Sequence, residues 1–157
     1  MQKLPPPIQD ALWTKLSELN ILLEYSDPRK TKLADWRVRD GKQKITINYD
    51  LHPVQFFITL CHEIAHGIPW NKHTSSVDPH GQQWKNNFRN VILPLLVGHF
   101  GEKIEKVIKD VMKNPKAAGI PPEIRAITNP NQCIVDNIHM GVMFPFDGKM
   151  LTKIYKK

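Results

Sequence analysis

Apolar residues recur at three- and four-residue steps at Ile8, Leu12, Leu16 and Leu19, just behind the prolines at 5–7, and predict a first amphipathic helix. The period then changes. Ile21 to Tyr25 predicts a strand, closed at the Asp27-Pro28 turn. Leu33 to Arg39 and Lys44 to Tyr49 flank Asp40-Gly41, a strong hairpin turn pair. In one arm Trp36 and Val38 alternate with charges, and in the other Ile45, Ile47 and Tyr49 alternate with polar residues. Each arm therefore has one face for a core and one for water.

A second helix is predicted from Pro53, which suits a first helical turn. Phe57, Cys61, Ile64 and Ile68 would form its buried face, and Gly67 and Pro69 are expected to end it. A polar loop, Asn71 to Val77, leads to Asp78-Pro79, read as a helix start with a capping Asp and Pro in the first turn. Trp84, Phe88, Ile92 and Leu95 give that helix its apolar stripe, with Pro94 ending or kinking it. Ile104, Val107, Ile108 and Val111 predict another helix, stopped near Asn114-Pro115. Pro121-Pro122 and Asn129-Pro130 bracket a short helical piece or loop. Cys133 to Ile138, Gly141 to Phe146 and Met150 to Tyr155 read as three short strands. The expected class is α+β: a small antiparallel sheet packed on helices, then a C-terminal β meander. Residues 1–130 form the main domain and 131–157 a short β extension.

Composition narrows the compartment. A chain of 157 residues with 41% hydrophobic and 24% charged residues can build a core without staples. Cys61 and Cys133 lack CxxC spacing, which argues against a disulfide scaffold or a cysteine-rich zinc site. The prolines at 5–7 cannot serve as a signal-peptide core, and Pro94 and Gly98 interrupt the apolar run from Val91 to Val97. No membrane partner and a cytoplasmic location are expected. The net charge of +7 raises nucleic acid as a partner, against the alternative of a lysine-rich solvated surface. Arg37, Arg39 and Lys42, around Trp36, are the candidate phosphate contacts for single-stranded or damaged DNA; otherwise Trp36 is core and the charges are merely solvated.

The chemistry lies in His62-Glu63-x-x-His66. Two His four residues apart share one helical face and can bind one zinc, and the Glu between them can reach an activated water. Chance places this pattern in roughly 1% of chains of this composition, so its setting in an apolar helix matters. Two imidazoles and a carboxylate make a sensible cleft and a poor core. Glu63 is the expected catalytic base.

Catalytic zinc normally takes three protein ligands. The extended motif HExxHxxGxxH fails, because Pro69 and Lys72 stand at its Gly and His positions, and no Glu occurs between Glu63 and Glu102. His73, Asp78 and His80 remain. His80 is preferred, since the new helix would present it in its first turn and Gly81 would leave room against the first His-bearing helix. Asp78 reads as a cap or as a partner orienting an imidazole, and His73 as a loop residue.

His62-Glu63-x-x-His66 followed by His80-Gly81-Gln82-Gln83-Trp84-Lys85 resembles the SprT-like metallopeptidases, whose signature is HExxH and then HGxx(F/W)K. Lys30 to Arg37 is similar to that family's basic, strand-forming lead-in. Asn114-Pro115-Lys116-Ala117 and the terminal strands resemble a bacterial branch, so the likeness runs from about Leu22 onward. It implies a zincin-like fold, one zinc per chain on His62, His66 and His80, and Glu63 as base. Relatives of the Spartan type are DNA-dependent proteases that digest proteins crosslinked to DNA. Many relatives carry a four-cysteine zinc ribbon, whereas this chain has only Cys133 there, so Cys133 to Tyr155 reads as a metal-free remnant. Ala34 also stands where relatives often have Gly. The expected function is zinc-dependent proteolysis of DNA-associated proteins. The alternatives are a general cytoplasmic peptidase and a non-catalytic zinc-containing nucleic-acid-binding module. An intact Glu63 argues against the last, because a structural site does not need that carboxylate.

Overall fold

Helix α1 (Pro6–Glu18) begins with proline in its first turn, where a missing N–H leaves nothing unpaired, and buries Ile8, Leu12 and Leu16. The computed structural model describes residues 1, 4–71, 78–117, 120–128, 143–146 and 149–152. Among the described residues the chain is an α+β fold in which five α-helices accompany a three-stranded mixed sheet. No helix among the described residues is long and apolar enough to cross a membrane.

Strands β1 (Ile21–Ser26), β2 (Ala34–Arg39) and β3 (Lys42–Asn48) form the sheet in the order β1-β3-β2. Asp40 and Gly41 have φ of 51° and 71°, the paired left-handed conformation of a two-residue hairpin turn, and Arg39 sits opposite Lys42 across it. The expectation of an antiparallel sheet needs correcting: β2 and β3 are antiparallel, but β1 runs parallel to β3. After β1 the chain crosses to the far edge before the hairpin returns β3 to the middle. The apolar pattern is consistent with that order, since Ile45 and Ile47 are fully buried in the central strand while Arg37 and Arg39 are exposed on an edge strand. Side-chain alternation reports faces and carries no information on strand direction.

Ile21, Trp36, Gln43, Ile45 and Ile47 belong to the covered face of the sheet, against which helix α2 (Pro53–Asn71) packs. Phe57, Cys61 and Ile64 are buried as expected, but so are Val54, Phe56, Ile58, Leu60 and Ala65. This is the central helix of the fold rather than a surface helix with one apolar stripe. It also continues through Gly67 and Pro69 to Asn71. Pro69 falls in the final turn and is buried, so packing there outweighs the one backbone hydrogen bond proline cannot donate.

Gly67 has a different task from stopping the helix. A Cβ there would lie 2.6 Å from Ile21 Cδ1, 2.7 Å from Gln43 Oε1 and 3.2 Å from Trp36 Nε1. Gln43 cannot swing aside freely, because its Oε1 accepts from Trp36 Nε1 at 3.0 Å and its Nε2 donates to Leu19 O at 2.8 Å. Helix propensity favours alanine over glycine by roughly 0.5–1 kcal/mol. The clash reverses that sign: Gly67→Ala is expected to destabilise by about 1–3 kcal/mol, read as a lower Tm in a thermal melt.

Helix α3 (Gln82–Ile92) follows, then a single 3-10 turn at Leu93–Leu95 where Pro94 sits, as the sequence predicts. Helices α4 (Glu102–Met112) and α5 (Pro122–Thr128) close the core through Ile108, Met112 and Ile124. Strands β4 (Met143–Phe146) and β5 (Lys149–Thr152) pair antiparallel. The strand expected over Cys133 to Ile138, and Cys133 itself, lie outside the described residues.

Between β1 and β2 the chain is tied down by Arg29. Its guanidinium pairs with Asp35, its Nε donates to Asn48 Oδ1 at 2.9 Å and its Nη2 to Thr46 O at 3.0 Å. Burial raises the Asp35 carboxyl, but hydrogen bonds from Lys32, Arg37 and Arg29 outweigh it and bring the carboxyl down to about 2. This network holds residues 30–34 as one wall of the cleft described next.

Candidate metal centre

The helical spacing brings His62 and His66 together with Nε2 atoms 3.3 Å apart, and His80 Nε2 lies 3.4 Å from His62 Nε2. All three ligand atoms fall within 4.8 Å of one another. A zinc ion with tetrahedral nitrogen ligands at about 2.05 Å needs N···N separations of roughly 3.3 Å. Two of the three edges therefore already have the required length. His80 Nε2 completes the group that His62 and His66 begin, so these residues could hold a metal ion.

The electrostatics fit a cation. Burial, then the neighbouring imidazoles, lowers His62 to about 3, and burial with His80 lowers His66 to about 4. Burial also lowers His80, against a smaller opposing effect of Asp78. Near neutral pH all three rings are uncharged. Neutral nitrogens crowded this closely cannot all satisfy one another by hydrogen bonding, whereas one cation accepts every lone pair.

His80 is delivered differently from the expectation. It precedes helix α3, whose first residue is Gln82 and whose N-cap is Gly81. The Asp78 carboxylate accepts from the His80 backbone N–H at 3.2 Å, and Gly81 N donates to Asp78 O at 3.1 Å, so a tight turn aims the imidazole. A Cβ on Gly81 would lie 2.9 Å from Asp78 Cβ. The glycine makes room for the Asp78 turn, not for the approach of the His-bearing helix. Asp78 shapes this turn and is not among the residues that converge. His73 lies outside the described residues.

Glu63 is only 8% exposed, and its Oε2 accepts from the Trp36 backbone N–H at 2.8 Å. That N–H belongs to edge strand β2, so a sheet edge orients the carboxylate. Burial raises Glu63 to about 7, against the Trp36 hydrogen bond, which lowers it. A carboxylate poised there can accept and return a proton near neutral pH.

Trp84 was legible in the sequence as core, and it is also the floor of the site. Its ring centroid lies 4.6 Å from that of His62, 4.8 Å from His80 and 5.6 Å from His66. Phe88 flanks His62 at 5.6 Å. The sequence signal for this is the aromatic place of the HGxx(F/W)K pattern, which Trp84 fills four residues after His80. Cys61 is fully buried beside the motif, and burial pushes its thiol up, so it behaves as an inert apolar residue.

From His62 and Glu63 a cleft of about 710 Å³ opens between the 30–34 segment, α2 and the 111–125 region. The cations lining it are Lys30, Lys32, Lys116 and Arg125. Arg37, Arg39 and Lys42 are elsewhere: cross-strand pairing with Lys44 and Lys42 puts Arg37 and Arg39 on the sheet face turned away from α2. There Arg37 pairs with Asp35, while Arg39 and Lys42 are exposed at the hairpin end. Trp36 is on the covered face, its ring stacked 6.2 Å from His66. No protein-family model, curated protein or solved structure matches this chain.

Proposed function

We propose that this chain is a zinc metallopeptidase with a zincin-like active site, holding zinc on His62, His66 and His80 with Glu63 as base. The observation that carries this reading is the buried, near-neutral Glu63 carboxyl beside three converging neutral imidazoles, opening into a cleft large enough for a polypeptide segment. A purely structural zinc site has no use for such a carboxylate. When bound, the metal would supply Lewis acidity, polarising a carbonyl and making water a nucleophile near neutral pH.

The protein's own groups do the rest. Glu63, held by the Trp36 N–H, takes a proton from the attacking water and passes it to the leaving nitrogen. Trp84 and Phe88 exclude water from beneath the imidazoles and fix their orientation. The test is digestion of an unfolded protein such as casein by zinc-loaded protein, with chelator as control. No cleavage with zinc bound would sink the reading.

Substrates associated with DNA are the narrower part of the proposal. Arg39 and Lys42, together with Arg37 once it is released from Asp35, would offer phosphate contacts on the outer sheet face, leaving the cleft open for a polypeptide. Single-stranded DNA binding is then expected to weaken by about 0.7 log units per log unit of salt for each phosphate neutralised. It should be lost when those three residues are changed to Glu. Binding indifferent to that triple change would leave a plain peptidase.

A further inference from the structure

Thr59 lies one helical turn before Glu63 on α2 and lines the same cleft. It is 7% exposed, and its Oγ1 has no hydrogen-bond partner among the described residues. A helical threonine usually returns its hydroxyl to the carbonyl four residues back, and Thr128 does so to Ile124 O at 2.8 Å. Thr59 does not, so a buried donor is left for something that enters the cleft.

The charge of the cleft says what that ligand is. Glu63 is the one carboxylate among the lining residues, against Lys30, Lys32, Lys116 and Arg125. Lys32 is committed to Asp35 at 3.0 Å. Lys30, Lys116 and Arg125 are exposed and make no ion pair among the described residues. The floor is apolar, with Ile58, Met112 and Ile120 buried. Methylenes packed on that floor below a carboxylate at a cationic mouth describe an acidic side chain. A nucleic-acid base would need an exposed aromatic face to stack on, and Phe88, the one aromatic residue lining the cleft apart from His62, is buried.

We propose that the cleft is a recognition subsite for an acidic side chain of the polypeptide substrate, seated beside the bond to be cut, with Thr59 donating a hydrogen bond to a backbone carbonyl of the substrate at its floor and Lys30, Lys116 and Arg125 holding the carboxylate at its mouth. This rests on the peptidase reading, and its test is a binding measurement that needs no turnover. Fluorescein-labelled peptides of alternating alanine and glutamate, or alanine and glutamine, are titrated against zinc-loaded Glu63→Gln protein by anisotropy.

The glutamate peptide is expected to bind about tenfold tighter or more. Adding Thr59→Val, which keeps the shape and removes only the hydroxyl, should weaken it by about three- to tenfold with an unchanged melt. Adding Lys116→Glu and Arg125→Glu together should abolish the preference. Equal affinity for the two peptides, or a preference that survives the double reversal, overturns the subsite. So does an oligothymidylate that displaces the glutamate peptide and itself loses binding in the double variant. Casein cleavage by the wild type stands apart: its absence with the binding preference intact removes the peptidase reading and leaves the acidic subsite in place.

Discussion

Glu63→Gln is expected to lower peptide hydrolysis by about 10²–10⁴-fold while zinc content stays at one per chain. The amide oxygen can still accept from the Trp36 N–H, so the strand-to-helix contact survives and only the proton acceptor is lost. A second measurement separates a catalytic role from a structural one. Burial raises the Glu63 carboxyl from 4.5 to about 7 in the metal-free fold, so its charged form is disfavoured there. A carboxyl raised on folding contributes stability that is present below about 4.5 and lost as pH rises through about 7.

Metal-free wild type should therefore fall behind metal-free Glu63→Gln across that window, by up to about 3 kcal/mol. His62 and His66, lowered on folding, act in the opposite sense as pH drops below 6.5, but both proteins share them and they cancel in the difference. Melting curves of the two metal-free proteins from acid to alkaline pH measure it directly. A constant difference would mean that the Glu63 carboxyl titrates in the fold as it does in the unfolded chain. Loss of zinc from the variant would mean that Glu63 helps to hold the metal.

His80→Ala is expected to weaken zinc binding by more than 100-fold, beyond the roughly 10–100-fold typical of changes to a partner that only orients a ligand. Asp78→Ala should fall within that smaller range, because Asp78 contributes through the turn that aims His80, by accepting the His80 N–H at 3.2 Å. Competition with a chromophoric chelator ranks the two variants. Full zinc affinity in His80→Ala together with its loss in Asp78→Ala would reassign the third ligand. His66→Ala should match His80→Ala, since each removes one of the three imidazoles that converge.

Two of the three converging imidazoles are legible in the sequence because local geometry fixes them. A helix places residues four apart on one face whatever surrounds it, so His62 and His66 had to converge once α2 was helical. The hairpin was equally local: Asp40 and Gly41 both take the left-handed conformation that such a turn requires. Periodicity likewise placed the helices, since the interior of each depends mainly on its own apolar spacing. Local patterning does not decide the role of single residues whose neighbours are distant in the chain. Gly67 looked like a helix stop and is a contact point for Ile21, Gln43 and Trp36.

Only the tertiary structure decided the rest. That β3 lies between β1 and β2, and parallel to β1, is a matter of which edges meet, and side-chain alternation is blind to it. That order leaves β2 at an edge with the Trp36 N–H free for Glu63, which sets the orientation of its carboxylate. The same packing turns Arg37 and Arg39 away from the cleft and brings Lys30, Lys116 and Arg125 to it, though all belong to one undivided excess of basic residues in the sequence. Helix and turn chemistry act over a few residues and can be read along the chain. Burial, edge exposure and the field around a carboxylate arise from groups far apart in sequence, and exist only once the core has closed around them.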